Sequence, residues 1–303
     1  MLLPELDYVR PLTLAEAVER LGATRNARVI AGGQTLLNAL KLRITHPDVL
    51  VDVSRLEELR QVSLDDDGAL RLGAALTYDE LAAHPLVRER HPVTAAMTSR
   101  IVDRQVRARG TLGGNVCLAD PTSNFPPLLV ALDARLVVRG ASGPREIAAE
   151  AFFFAPYMTA LEPGELLQEV VLPALAPGEG VGYESLQVGI DSWALARACA
   201  WIRVDGDGDE DGDRDGASAS ALAGRTIAAA RVVLGCGPVP VRQPAMEAAL
   251  VGGPASREAI AAAARLAGER FDPPGDVHAT AEYRTAMARV MARRAVIAAS
   301  KEA

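Results

Sequence analysis

Aromatic side chains make up only 4% of the 303 residues, and cysteine occurs three times, at Cys117, Cys199 and Cys236. Few aromatics beside abundant alanine suit a small-residue α/β or α+β protein better than an aromatic-rich all-β one. With no CxxC pair, the chain has no pattern for a zinc site or a cysteine-held iron–sulfur cluster of its own. Isolated thiols without a secretory leader point to a reducing compartment, the cytoplasm. No run reaches the roughly 18 uninterrupted apolar residues of a membrane span. A basic footprint is missing too. The net charge is −7, and residues 205–216 hold seven acids against one arginine, a net −6 that leaves −1 for the remainder. That argues against nucleic-acid binding, and it means that local dipoles, not the field of the whole chain, must hold any anionic ligand. His46, His84, His91 and His278 are scattered without metal-ligand spacing and read as surface or turn residues. Asp207, Asp209, Asp211 and Gly212 mimic the start of an EF-hand, but Ser218 stands where the closing glutamate belongs, so the stretch reads as a solvated loop.

What remains is enough apolar sequence for two cores. Residues 13–22 carry apolar positions at helical spacing behind Thr13, with Glu16 placed for a capping box and Gly22 as a stop. Residues 29–31 and 49–53 read as strands, with a helix begun by Leu36, Leu37 and Leu40 between them. Further on, 70–73, 135–139 and the stretch after Gly164 read as strands, while 77–83 and 95–102 read as helices. The Pro/Gly-rich stretch 173–180 has linker composition. Beyond it, strands at 194–204 and 226–234 flank the acidic run, and helices are expected at 245–250, 257–268 and 282–299. The expected organisation is a domain over 1–175, with subdomains 1–54 and 55–175, and a domain over 180–303 that carries the acidic loop 205–218.

Two glycine pairs stand out. Val29-Ile30-Ala31-Gly32-Gly33-Gln34-Thr35-Leu36 ends a strand in two glycines and opens a helix. Glycines let backbone approach a ligand, and a helix start leaves N–H groups unpaired, which suits a pyrophosphate. The same pattern also makes ordinary tight turns. It is not the GxGxxG fingerprint of nicotinamide enzymes. The second pair lies in Thr111-Leu112-Gly113-Gly114-Asn115, followed by Asp120 and Asn124. It reads as a loop and offers a second backbone nest for a diphosphate.

AGGQTLL, QVRARGTLGGNVCLADPTSNFPPLLVALDA and AEYRTAMARVMARRA together resemble the FAD-binding medium subunits of the molybdenum hydroxylases, the xanthine dehydrogenase and carbon monoxide dehydrogenase family. The likeness runs through nearly the whole chain in order, and TLGGN is its most specific block. It implies an α+β, two-domain flavoprotein: an N-terminal FAD domain of the vanillyl-alcohol-oxidase (PCMH) type, and a smaller strand-then-helix domain that covers the flavin. It implies non-covalent FAD held by Val29–Leu36, Thr111, Gly113, Gly114, Asn115, Asp120 and Asn124. Ile101 and Leu167 match apolar positions near the cofactor, and Trp193 matches an aromatic position that would stack on the isoalloxazine ring or else sit in a core.

The chain departs from the family at Asn124, where aspartate is usual, and at Ser185, where a flavin-side lysine is often found. The implied role is electron transfer to an external acceptor from [2Fe–2S] clusters on a small partner subunit, with molybdopterin on a large one, in a dimer of heterotrimers. No side chain presents itself as a general acid, base or nucleophile. A stand-alone FAD oxidase and a scaffold that has lost FAD are the alternatives.

Overall fold

Leu14, Ala17, Val18 and Leu21 are buried on one face of the helix Leu14–Ala23, whose first turn is capped by Thr13 accepting from the Glu16 N–H. The computed structural model describes residues 2–101, 103–189, 192–206 and 224–303. Most of the acidic run, with the EF-hand-like positions, lies outside them. Two compact units are present: residues up to Asp120 with Asp133–Ala174, and Pro121–Leu132 with Leu175–Ala303.

The first unit has two main sheets. One is parallel, in the order Asp7–Val9, Val49–Asp52, Ala27–Ile30. The helix Leu14–Ala23 packs its apolar face on it, through Val51 and Val53, to make a core with Leu56, Leu59 and Leu166. The other is antiparallel, in the order Val62–Leu64, Leu70–Gly73, Leu166–Leu172, Arg135–Gly140, Gly143–Ala148. Short helices join the sheets. Tyr78–Ala83 begins in a complete capping box between Thr77 and Glu80, and Pro85–Arg90 and Pro92–Ser99 each place proline in the first turn, where its missing N–H costs nothing. Gly22 does not stop the first helix, which runs one residue further, and the Glu16 carboxylate reaches the Leu12 N–H. His91 is not a surface residue: it is 2% exposed.

The second unit is a four-stranded antiparallel sheet, Glu179–Gln187, Ala194–Asp205, Thr226–Gly235 and Val241–Arg242. One face carries Ala196, Ala198, Ala200 and Ile202 against the helices Pro244–Leu250, Arg257–Ala264 and Ala281–Glu302. Gly182 lets the last of these come close: a Cβ there would lie 1.9 Å from the Ala295 carbonyl oxygen. The helix Phe125–Ala131, buried along its whole length, lies on the strands Ala194–Asp205 and Thr226–Gly235. At its end, Arg231 donates to the Ala131 carbonyl (2.7 Å) while its guanidinium stacks 4.0 Å from the Trp201 ring centroid. A cation there complements the helix C-terminus.

Candidate cofactor site

The strand Ala27–Ile30 ends beside Asp52 in the parallel sheet, and the chain turns through Ala31–Thr35 into the helix Leu36–Lys41. Two glycines make this turn possible. Gly33 sits at φ +71°, and a Cβ on Gly32 would lie 2.0 Å from the Arg109 carbonyl oxygen. The first glycine loop therefore rests directly on the backbone that leads into the second. The N–H groups of Gly33, Gln34, Thr35 and Leu36 meet no acceptor among the described residues, and Thr35 caps nothing. Apart from exposed Thr35, Val29–Leu36 is half-buried, although Val29, Ile30 and Leu36 are apolar. A row of uncommitted donors beside a partly open apolar strand fits a diphosphate group with an adjoining ring system.

The second glycine pair is built differently. Thr111 caps the helix Leu112–Leu118 by accepting from the Gly114 N–H, so TLGGN is a helix start and not a loop. Its other donors are also taken: Leu112 donates to the Leu76 carbonyl, Gly113 to that of Ala74 (2.8 Å) and Asn115 to that of Thr111. The expected second nest of free N–H groups is thus not formed. This segment instead offers exposed Gly114 backbone and half-exposed Asn115. The Asn115 amide also donates to Tyr78 Oη (3.2 Å), a phenol that burial pushes up to about 12.

Leu167 is buried at a bulge in the strand Leu166–Leu172. Its backbone hydrogen-bonds the Cys117 sulfur, a thiol that burial raises to about 12. Beside it stands a residue that the sequence reading missed: Gln168, whose buried Oε1 has no partner among the described residues. A bulge in a strand carries no composition signal. The backbone carbonyl of the same residue accepts from Ala74 (3.0 Å), which links it to the second glycine segment. Ile101 is buried, with its carbonyl accepting from Arg107. Asp120 accepts from the Tyr157 hydroxyl (3.0 Å), and burial followed by that carboxylate raises the Tyr157 pKa. Tyr157 and Ala119 both adopt positive φ, and the Tyr157 N–H donates to the Ala119 carbonyl.

The first unit thus brings the two glycine segments and Leu167 into one run of contacts. Asn124 and Trp193 belong to the second unit. Asn124 holds the cap position of the helix Phe125–Ala131 but makes no cap bond, and its amide meets no partner among the described residues. Trp193 is 67% exposed and so is not a core residue. Arg284, from the EYR segment, explains that motif in part: it pairs with Asp276 and donates to the Leu195 carbonyl, two residues beyond Trp193.

Residues 4–175 match the family described as the FAD binding domain in molybdopterin dehydrogenase, and residues 183–299 match the CO dehydrogenase flavoprotein C-terminal domain. The chain belongs to this family, and so is an FAD-binding component of an oxidoreductase. It is 34% identical over 301 residues to the carbon monoxide dehydrogenase medium chain of Hydrogenophaga pseudoflava, covering 99% of this chain and 98% of that one. To the glyceraldehyde dehydrogenase medium chain of Sulfolobus acidocaldarius it is 36% identical over 204 residues, 67% of this chain and 72% of that one. Among solved structures, it superposes on carbon monoxide dehydrogenase from H. pseudoflava, in a form lacking the Mo-pyranopterin moiety, with a TM-score of 0.90 at 35% identity, covering 100% and 99% of the two chains.

Proposed function

We propose that this chain is the electron-transfer flavoprotein subunit of a cytoplasmic molybdenum hydroxylase, working between the [2Fe–2S] clusters of a small subunit and an external acceptor. A large subunit would hold the molybdopterin, and the assembly would be a dimer of heterotrimers. The observation that carries this reading is the pairing of family membership along both units with the uncommitted donors of Gly33–Leu36. FAD, when bound, supplies the redox chemistry.

The chain's own residues would bind and orient the cofactor. Val29–Leu36 would receive the pyrophosphate on backbone N–H groups. Thr111, Gly113, Gly114 and Asn115 would brace it through glycine backbone and the asparagine side chain, and Asp120 would fix the following turn. Asn124 would hydrogen-bond an adenosine hydroxyl with its free amide. Ile101 and Leu167 would give the cofactor apolar surroundings, and Trp193 would stack on the isoalloxazine ring. Among the described residues there is no helix long and apolar enough to cross a membrane.

The test is a visible absorption spectrum of the chain purified with its native partners. Flavin bands overlaid on broad, longer-wavelength iron–sulfur absorption are expected. Flavin without iron would replace this reading with a stand-alone oxidase, and a preparation without flavin would overturn the cofactor assignment itself.

A further inference from the structure

In the strand Ala194–Asp205, Arg197 stands between Ala196 and Ala198, both of which face the helical core. Strand alternation sends Arg197 to the opposite face, with Cys199 and its pairing partner Tyr183. There it is 2% exposed. Among the described residues, no carboxylate forms an ion pair with it and its Nε has no partner. The guanidinium carbon lies 5.8 Å from the Tyr183 ring centroid. A buried charge without a counter-ion is costly, so what it does hold matters. Its Nη1 donates to the carbonyls of Thr122 and Ser123, each at 2.6 Å. The Pro121 carbonyl just before them accepts from the Cys236 N–H (3.1 Å). The carbonyls of Pro121, Thr122 and Ser123 are therefore pinned to the sheet, and the next residue is Asn124, whose amide is uncommitted among the described residues.

We infer that Arg197 is a positioning residue for the cofactor: it fixes the turn that aims Asn124. The inference rests on the FAD reading above. A turn pinned in advance spares the binding step the entropy of ordering Asn124. The charge strengthens both carbonyl contacts, and its reach from the strand sets where the turn lies.

The experiment compares FAD and ADP binding by titration of the full chain stripped of flavin, as parent, R197M, R197K, N124A and the double variant R197K/N124A. R197M keeps the apolar stem and removes the charge. It should weaken FAD and ADP about tenfold, the scale of one charge-assisted hydrogen bond. R197K keeps a cation and should fold even where R197M does not. It should weaken both ligands about threefold in the parent, and leave N124A unchanged, because coupled residues do not add. Riboflavin, which lacks the adenosine, should bind all five proteins alike.

FAD binding by R197K and R197M at the parent's affinity would overturn the inference. So would an R197K loss that adds in full to that of N124A, which would mark Arg197 as a general fold support. A parent that binds neither FAD nor ADP overturns the cofactor reading, and this inference with it.

Discussion

Burial of His91 couples one side chain to the acid stability of the first unit. Its ring donates to the Pro173 carbonyl, yet desolvation dominates and pushes its pKa from the ordinary 6.5 to about 4. The folded protein then binds fewer protons than the unfolded chain between these values, so stability is present in full above pH 6.5 and falls as pH drops toward 4. The loss is at most about 3 kcal/mol. Urea midpoints measured from pH 4 to pH 7 should show this slope, and His91→Gln, which cannot titrate, should flatten it. An unchanged slope in the variant would assign the acid sensitivity to other groups. Nothing beside His91 in the sequence announces its burial, since Arg90 and Pro92 are turn-like neighbours and the covering Pro173 lies far along the chain. Arg197 is hidden for the same reason: a cation in an alanine strand becomes meaningful only once the Thr122 and Ser123 carbonyls are beside it. Trp193 was legible as an aromatic at a special place, but its exposure was not.

Elements with local signals were readable. Thr13 and Thr77 both cap the helices expected after them, and the strands around 70–73, 135–139, 166–172 and 194–204 form where apolar runs put them. Several were not, among them Asp7–Val9, Gly143–Ala148, Leu112–Leu118 and Glu179–Gln187. Leu112–Leu118 opens on two glycines, each costing a helix about 1 kcal/mol, so propensity argues for a loop. The tight seat of Gly113 on Ala74 explains why glycine is nonetheless there. The strand Glu179–Gln187 hides because its core-facing positions include glycine, so no apolar alternation is visible. The two glycine segments also behave as one packed unit. Gly32→Ala would drive a methyl into the Arg109 carbonyl, which is backbone and cannot step aside. It should cost about 3 kcal/mol or more and abolish FAD retention. Gly22→Ala, in a helix with nothing within 4 Å of the new methyl, should instead stabilise by up to about 1 kcal/mol. Denaturation midpoints of the pair measure both, and a Gly32→Ala protein as stable as its parent would mean that the loops do not rest on one another.

Across the whole molecule, the sequence conveyed a two-part α+β chain because the linker composition at 173–180 and the change from mixed elements to strands and then helices are both local. It conveyed nothing of the grouping of Pro121–Leu132 with Leu175–Ala303, which depends on Phe125–Ala131 finding a sheet formed later in the chain. That grouping means that the backbone passes from one unit to the other at three points, and a single cut cannot release either as a finished piece. Residues 176–303 made alone would leave the sheet face around Cys199, Val233 and Arg197 bare, and residues 1–175 made alone would trail an all-apolar helix with no seat. Each fragment should bind a hydrophobic dye and aggregate, while co-expressed halves recombine into a soluble pair. A monomeric 176–303 fragment with a cooperative melt would refute this. Over evolutionary time, such a chain would resist piecemeal exchange: a gene fusion or swap that joined its halves to those of a relative would have to bring along a matching helix from inside the other half.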